Sequence, residues 1–137
     1  MSEKRFKDDS LALHTDLYEI NMMETYWRKG IDKKRAVFEA YYRNEPFGLG
    51  YTIYAGLERI IDYIQGITFT ESDIEYLRTL GYEEDFLDYL ANWKFTATIR
   101  SFEEGTVTFA EEPIIQVEGN ITDCQIVETA ILNAFNF

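Results

Sequence analysis

A chain of 137 residues supports one domain with a single core, and 46% apolar with 16% aromatic residues excludes a disordered segment. With 25 Asp+Glu against 13 Lys+Arg the formal net charge is −12, which excludes a general nucleic-acid footprint or an anionic membrane partner, since both need clustered positive charge. The one cysteine, Cys124, permits no internal disulfide, so nothing calls for an oxidising compartment.

The charge is unevenly placed. Residues 1–68 carry 10 basic and 11 acidic side chains, whereas residues 69–137 carry 3 and 14. The basic clusters Lys4-Arg5-x-Lys7 and Lys33-Lys34-Arg35 are short and flanked by Asp8, Asp9 and Asp32, the pattern of solvated turns. No stretch reaches the roughly 18 apolar residues of a membrane span. The N-terminus MSEKRFKDDS has no apolar signal core, so a cytoplasmic location is expected.

Residues 1–12 read as a loose lead-in, and the expected domain runs from residue 13 to residue 137. Thr15 or Asp16 is placed to cap a first helix, because a side-chain oxygen there accepts an orphan N–H of the first turn. Leu17, Ile20, Met23 and Trp27 recur at helical spacing, and Gly30 supplies the left-handed stop. Ala36–Arg43 is β-branched and aromatic and predicts a strand, followed by a turn over residues 45–50 with Gly48 and Gly50. Tyr51–Tyr54 predicts a second short strand, and Leu57, Ile60, Ile61 and Ile64 a helix ending near Gly66.

Thr70-x-x-Asp73 has the capping-box form and opens a helix through Leu80, stopped by Gly81. An acidic helix with Phe86, Leu87, Leu90 and Trp93 on its apolar stripe follows. Phe95–Phe102 alternates as a half-buried strand, Glu104-Gly105 turns into a strand over 106–109, and Ile114–Glu118 is a last strand ended by Gly119-Asn120. Thr122-x-x-Gln125 is a second capping-box pattern, opening a helix with Ile126, Val127, Ala130, Ile131 and Ala134. This order predicts an α+β domain, helices packed on a mixed or antiparallel sheet. The apolar ending AILNAFNF reads as a truncated helix meant to enter further structure.

Self-contained chemistry is scarce. His14 is the only histidine, so a Ser/His/Asp arrangement or a multi-histidine zinc site has one candidate at most. Cys124 reads as a buried inert thiol, Glu103-Glu104 and Glu111-Glu112 as solvated turns, and Gly48-Leu49-Gly50 lacks the third glycine of a phosphate loop. Two segments rise above this. Thr15-Asp16-Leu17-Tyr18 sets an acid and an aromatic at a helix start, serving either as a cap with a core tyrosine or as an exposed ring that stacks a flat ligand. Phe38–Arg43 ends in an arginine before a glycine-bearing loop, where it can pair with a surface acid or bind phosphate bidentately.

These segments, with Glu19-Ile20-Asn21-Met22, Ala36-Val37-Phe38-Glu39, Arg43–Phe47, Tyr54–Glu58, Glu104–Val107, Glu112–Gly119 and Glu128–Asn133, fall in an order that resembles the N-terminal part of nicotinate phosphoribosyltransferase over about residues 11 to 137. The resemblance implies an enzyme of NAD salvage. Such enzymes join nicotinate to phosphoribosyl pyrophosphate, giving nicotinate mononucleotide and pyrophosphate with ATP hydrolysis coupled, and the family uses Mg2+. It implies a homodimer in the full enzyme and an irregular α/β barrel, carrying the phosphorylated histidine, beyond this stretch. No catalytic residue, metal ligand or bound cofactor is then expected in these 137 residues, which alone should be inactive. Tyr18 matches the tyrosine lying against the pyridine ring across the dimer, Asp16 the neighbouring orienting acid, and Arg43 a position that reaches phosphate. A non-catalytic dimerisation or interaction domain of the same fold, or a nicotinamide-using relative, are the competing expectations.

Overall fold

The computed structural model describes residues 11–44 and 48–135. The expectations for residues 1–10, for Glu45-Pro46-Phe47 and for residues 136–137 lie outside the described residues. In chain order the elements are α1 (Leu17–Arg28), β1 (Arg35–Ala40), β2 (Thr52–Ile53), α2 (Leu57–Gly66), α3 (Glu71–Thr79), α4 (Glu84–Asn92), β3 (Thr98–Ser101), β4 (Val107–Thr108), β5 (Ile115–Asn120), α5 (Ile121–Ile126) and α6 (Glu128–Phe135).

The sheet is wholly antiparallel. β5 lies between β1 and β3, with Val37 opposite Glu118 and Ile99 opposite Val117. β2 and β4 form a separate two-stranded ribbon, Thr52 facing Thr108 and Ile53 facing Val107. Helix α5 packs on β1 and β5 and on α1, α2 packs on α6, and α3 on α4. The core between these layers gathers Ile20, Met23, Ile60, Leu77, Phe86, Leu90, Ile115 and Ile126, together with Leu11 and Ala12 from the end of the expected lead-in. No helix among the described residues is long and apolar enough to cross a membrane.

Several stops and starts follow from local chemistry. Gly30, at φ 66°, ends α1 in a Schellman arrangement, its N–H donating to Trp27 O at 2.9 Å and that of Ile31 to Tyr26 O at 2.9 Å. The Thr70 box is formed: the Asp73 N–H donates to Thr70 Oγ1 at 3.3 Å and the Thr70 N–H to Asp73 Oδ2 at 2.7 Å. Gly56 is demanded twice, by its φ of 106° and because a Cβ there would lie 2.6 Å from Ala134 O of α6.

The structure corrects the sequence reading at several places. Neither Thr15 nor Asp16 caps α1 through its side chain, although Asp16 holds the N-cap position; both side chains reach toward other partners. The first strand ends at Ala40, three residues early; beyond it the Tyr42 carbonyl accepts from the Glu111 N–H at 2.8 Å and the Tyr42 hydroxyl donates to Thr108 O at 2.7 Å, outside the β1–β5 ladder. The Phe95–Phe102 strand is hydrogen-bonded only over 98–101, though its predicted alternation of half-buried and exposed side chains is present. Gly119-Asn120 does not end β5. Gly119 continues the pairing opposite Ala36, its missing Cβ admitting Ala97, and the chain passes directly into α5. The Thr122-x-x-Gln125 box is therefore absent. Thr122 lies inside α5, buried, with its hydroxyl on Asp32 O at 3.3 Å, and the expected single last helix breaks at Val127 into α5 and α6.

Asp123, fully buried on α5, holds the approach to β3. Its carboxylate accepts from Trp93 Nε1 at 3.1 Å, the Thr96 N–H at 3.1 Å and Thr96 Oγ1 at 2.7 Å. Removing it strands an indole N–H and a backbone N–H. Asp123→Ala is expected to cost about 3 kcal/mol and lower the Tm by about 10 °C. Asp123→Asn, which keeps acceptor capacity, should fall between. A Tm for the alanine variant within a degree of the native chain would show that these bonds hold nothing in place.

Candidate functional site

Two helix N-termini meet at the described surface, and carboxylates join them. Glu19, in the first turn of α1, is completely buried. It accepts from the Thr129 N–H at 3.2 Å, from Thr129 Oγ1 at 2.9 Å and from Thr15 Oγ1. Thr129 is the second residue of α6, so its N–H is one of the donors that a helix start leaves without an intrahelical partner. Glu19 thus caps α6 from another helix, where the positive end of the helix dipole favours a carboxylate. Asp16 joins the same knot, accepting from Thr129 Oγ1 at 2.9 Å.

Tyr18 stands on the outer side of this knot with 45% of its surface exposed. Its hydroxyl donates to Glu19 Oε1 at 3.4 Å, and the charge of Glu128, the first residue of α6, also bears on it. Burial of the phenol group, reinforced by the Glu128 and Glu19 charges, pushes the Tyr18 pKa far above that of an ordinary phenol and keeps it a neutral donor. Burial also raises the Glu19 pKa, against the lowering effect of the Thr15 and Thr129 donors, and Glu128 adds to the rise. Beneath them the Tyr63 hydroxyl is buried without a hydrogen-bond partner, its pKa raised by burial and then by Glu19.

Glu128 also lines a cleft of about 280 Å³ between β1, β5 and α6, otherwise walled by Phe38, Ala40, Val117, Val127 and Ile131, with Glu39 as its second charged side chain. The cleft is apolar with two acids at its lining and contains no cation, so it does not favour an anionic ligand.

Of the sequence candidates, Tyr18 and Asp16 are brought together. Arg43 is not part of that group. It is exposed, beyond the end of β1 and next to Tyr42, whose carbonyl accepts from the Glu111 N–H at 2.8 Å. The paired acids serve as caps. Glu104 Oε1 accepts from the Gly56 N–H at 2.7 Å at the start of α2, and Glu112 Oε2 from the Phe109 N–H at 3.2 Å. Cys124 is buried, its thiol directed at Val117 O (3.5 Å) and Ala36 O (3.6 Å) and pushed by burial above an ordinary thiol pKa. His14 is exposed, its ring centroid 6.1 Å from that of Tyr63. Among the described residues no group of three or more His, Cys, Asp or Glu could hold a metal ion. Sequence reasoning missed Glu19, Glu128 and Thr129 as one cluster. The Thr15-x-x-x-Glu19 spacing carried half of the signal, whereas the link to Thr129 spans 110 residues and has no local trace.

The fold and this cluster define an α+β domain that brings an aromatic ring and carboxylates together where α1 and α6 begin. Residues 13–136 match the family described as nicotinate phosphoribosyltransferase (NAPRTase) N-terminal domain, and the chain belongs to that family. A nicotinate phosphoribosyltransferase of Bacillus subtilis (strain 168) is 51% identical over 138 residues, covering 100% of this chain and 28% of its own. That of Homo sapiens is 30% identical over 124 residues, covering 88% and 23%. A crystal structure of human nicotinic acid phosphoribosyltransferase superposes with a TM-score of 0.81 at 29% identity, covering 88% of this chain and 25% of that one. The fold is shared too with a structure from Porphyromonas gingivalis, at TM-score 0.63 and 20% identity. The chain thus spans about a quarter of the length of the relatives that it matches.

A pH series tests the environment of Glu19. The folded chain holds the Glu19 proton more tightly than the unfolded one, so this group disfavours folding at neutral pH, and the penalty fades as pH falls through the raised pKa toward the ordinary 4.5. Glu19→Gln removes that dependence. The stability of the native chain relative to the variant, read from denaturant midpoints, should therefore rise as pH falls. A gap that stays constant with pH contradicts the raised pKa.

Proposed function

We propose that this chain is the ring-presenting portion of an enzyme that joins nicotinate to phosphoribosyl pyrophosphate, giving nicotinate mononucleotide and pyrophosphate with coupled ATP hydrolysis. The observation that carries the reading is Tyr18, an exposed phenol tied at its hydroxyl end to Glu19, at the position that matches the family's ring-stacking tyrosine. A flat, electron-poor pyridine ring stacks on a phenol with about 0.5–1.5 kcal/mol beyond its area burial. Fixing the ring presents its nitrogen to the ribosyl carbon, an orientation effect. Asp16 orients this edge of the site through Thr129. In the homodimer, Tyr18 serves the active site of the partner subunit.

Arg43 contacts a phosphate of phosphoribosyl pyrophosphate, where a guanidinium stabilises the charge that grows on the leaving pyrophosphate. The described residues do not gather a metal site, so the Mg2+ and ATP of the family reaction are assigned no ligands here and no step is routed through them. The cleft acids Glu39 and Glu128 oppose a polyanion. Most of the phosphate-binding charge, Arg43 apart, therefore belongs to other parts of the family's chain, and these 137 residues are inactive alone.

Two measurements bear on this. Purified chain given nicotinate, phosphoribosyl pyrophosphate, ATP and Mg2+ should form no nicotinate mononucleotide; measurable turnover overturns the assignment of the missing charge elsewhere. In a complete family enzyme carrying these residues, Tyr18→Ala should raise the nicotinate KM about tenfold, from a lost stack of about 1–2 kcal/mol. Arg43→Ala should weaken phosphoribosyl pyrophosphate and leave nicotinate nearly unchanged. An unaltered nicotinate KM for the first variant, or the reverse pattern for the second, contradicts those roles.

A further inference from the structure

The β2–β4 ribbon is apolar on the side that faces away from the core. Its inner side holds Thr108, fully buried, with Thr52 Oγ1 3.0 Å from Thr108 Oγ1. Its outer side carries Ile53 opposite Val107 and, one step along the same register, Tyr51 opposite Phe109. All four are large and about half exposed, at 57%, 47%, 49% and 54%. A two-stranded ribbon is marginal unless a face is packed, and here the face turned away from the core is the apolar one, as in a strand covered on both sides. Two aromatic and two β-branched side chains in adjacent cross-strand pairs form a contiguous patch of the kind that marks a protein contact.

The charges around the patch say what covers it. Glu103 and Glu104 precede β4, Glu111 and Glu112 follow it, and all four lie within five residues of the patch in sequence. In the described segments that flank the ribbon, 41–44, 48–55 and 101–113, Arg43 is the only cation. The half of the chain that contains β4 holds 14 acidic and 3 basic residues. An apolar centre with an acidic rim fits an apolar surface rimmed by Lys and Arg. A second copy of this chain is the wrong occupant, because face-to-face pairing would set the four glutamates against their like in a molecule of net charge −12.

We infer that the outer face of the β2–β4 ribbon is an interface for a basic-rimmed apolar surface in the part of the family's chain that lies beyond the quarter matched here. Relatives carry more than two thirds of their length outside the match, ample to supply such a surface. The polyanionic substrate proposed above would place positive charge in that same part. The inference itself rests on family membership and on the exposed face, and it stands whether or not Tyr18 stacks a ring.

Hydroxyl-radical footprinting read by mass spectrometry tests it, because it labels exposed Tyr and Phe side chains directly. This chain alone and the full-length Bacillus subtilis relative are labelled side by side, and the isolated chain is sedimented at low and high salt. The ribbon of the isolated chain should label freely, the matching ribbon of the relative should label about tenfold less, and the isolated chain should remain monomeric. Equal labelling in the two proteins overturns the inference, since the face would then be a solvent face in both. Self-association of the isolated chain that Ile53→Lys abolishes also overturns it, by making a second copy the occupant. Ile53 is exposed, and circular dichroism confirms that the variant keeps its fold.

Discussion

The contact on which the site depends is a buried carboxylate at the start of a distant helix. Glu19 belongs to α1, yet its oxygens complete the first turn of α6 through Thr129, and the same carboxylate faces the hydroxyl of Tyr18. A buried anion is costly in proportion to the donors that it lacks. Here Thr15 and Thr129 supply donors, the N-terminus of α6 supplies its dipole, and burial still leaves the carboxyl group's pKa raised. The ring is exposed for contact while its polar end is anchored in the protein.

The same device recurs elsewhere. Glu104 closes the start of α2 from the far side of the β2–β4 ribbon, and Asp123 collects the Trp93 indole and the Thr96 backbone where the chain leaves α4 for β3. In each case a carboxylate satisfies N–H groups that local structure leaves open, across 27 to 110 residues of sequence. The acidic excess thus has an internal explanation as well as a surface one. Some acids are structural caps, and others, such as Glu103 and Glu111, stay on the outside as a rim.

Local chemistry made much of the fold legible. The Thr70–Asp73 box, the Gly30 stop and the alternation around Ile99 all depend on neighbours a few residues apart, and all are present. The misreadings have a common physical origin, which is that tertiary partners outbid local ones. Thr15 has the chemistry of a cap, but its hydroxyl reaches Glu19. Thr122 has the same chemistry, but β5 runs on through Gly119 and Asn120 and leaves Thr122 inside a buried helix bound to Asp32. For the site, Tyr18 and Asp16 were legible as a motif, whereas Glu128 and Thr129 join them only because α1 and α6 meet in three dimensions. Arg43, exposed beyond the end of β1, does not join that cluster among the described residues.

The domain is thereby a frame that fixes one aromatic ring between two helix starts and offers acidic and apolar faces to what surrounds it. The central claim is that the Glu19 carboxylate, seated at the start of α6, holds the Tyr18 ring in place through its hydroxyl. A double-mutant cycle on nicotinate KM, combining Tyr18→Phe with Glu19→Gln in a complete family enzyme that carries these residues, tests it most directly. The account predicts strong non-additivity: Glu19→Gln raises KM when Tyr18 is present and has a much smaller effect once the hydroxyl is gone. Full additivity of the two substitutions would contradict it.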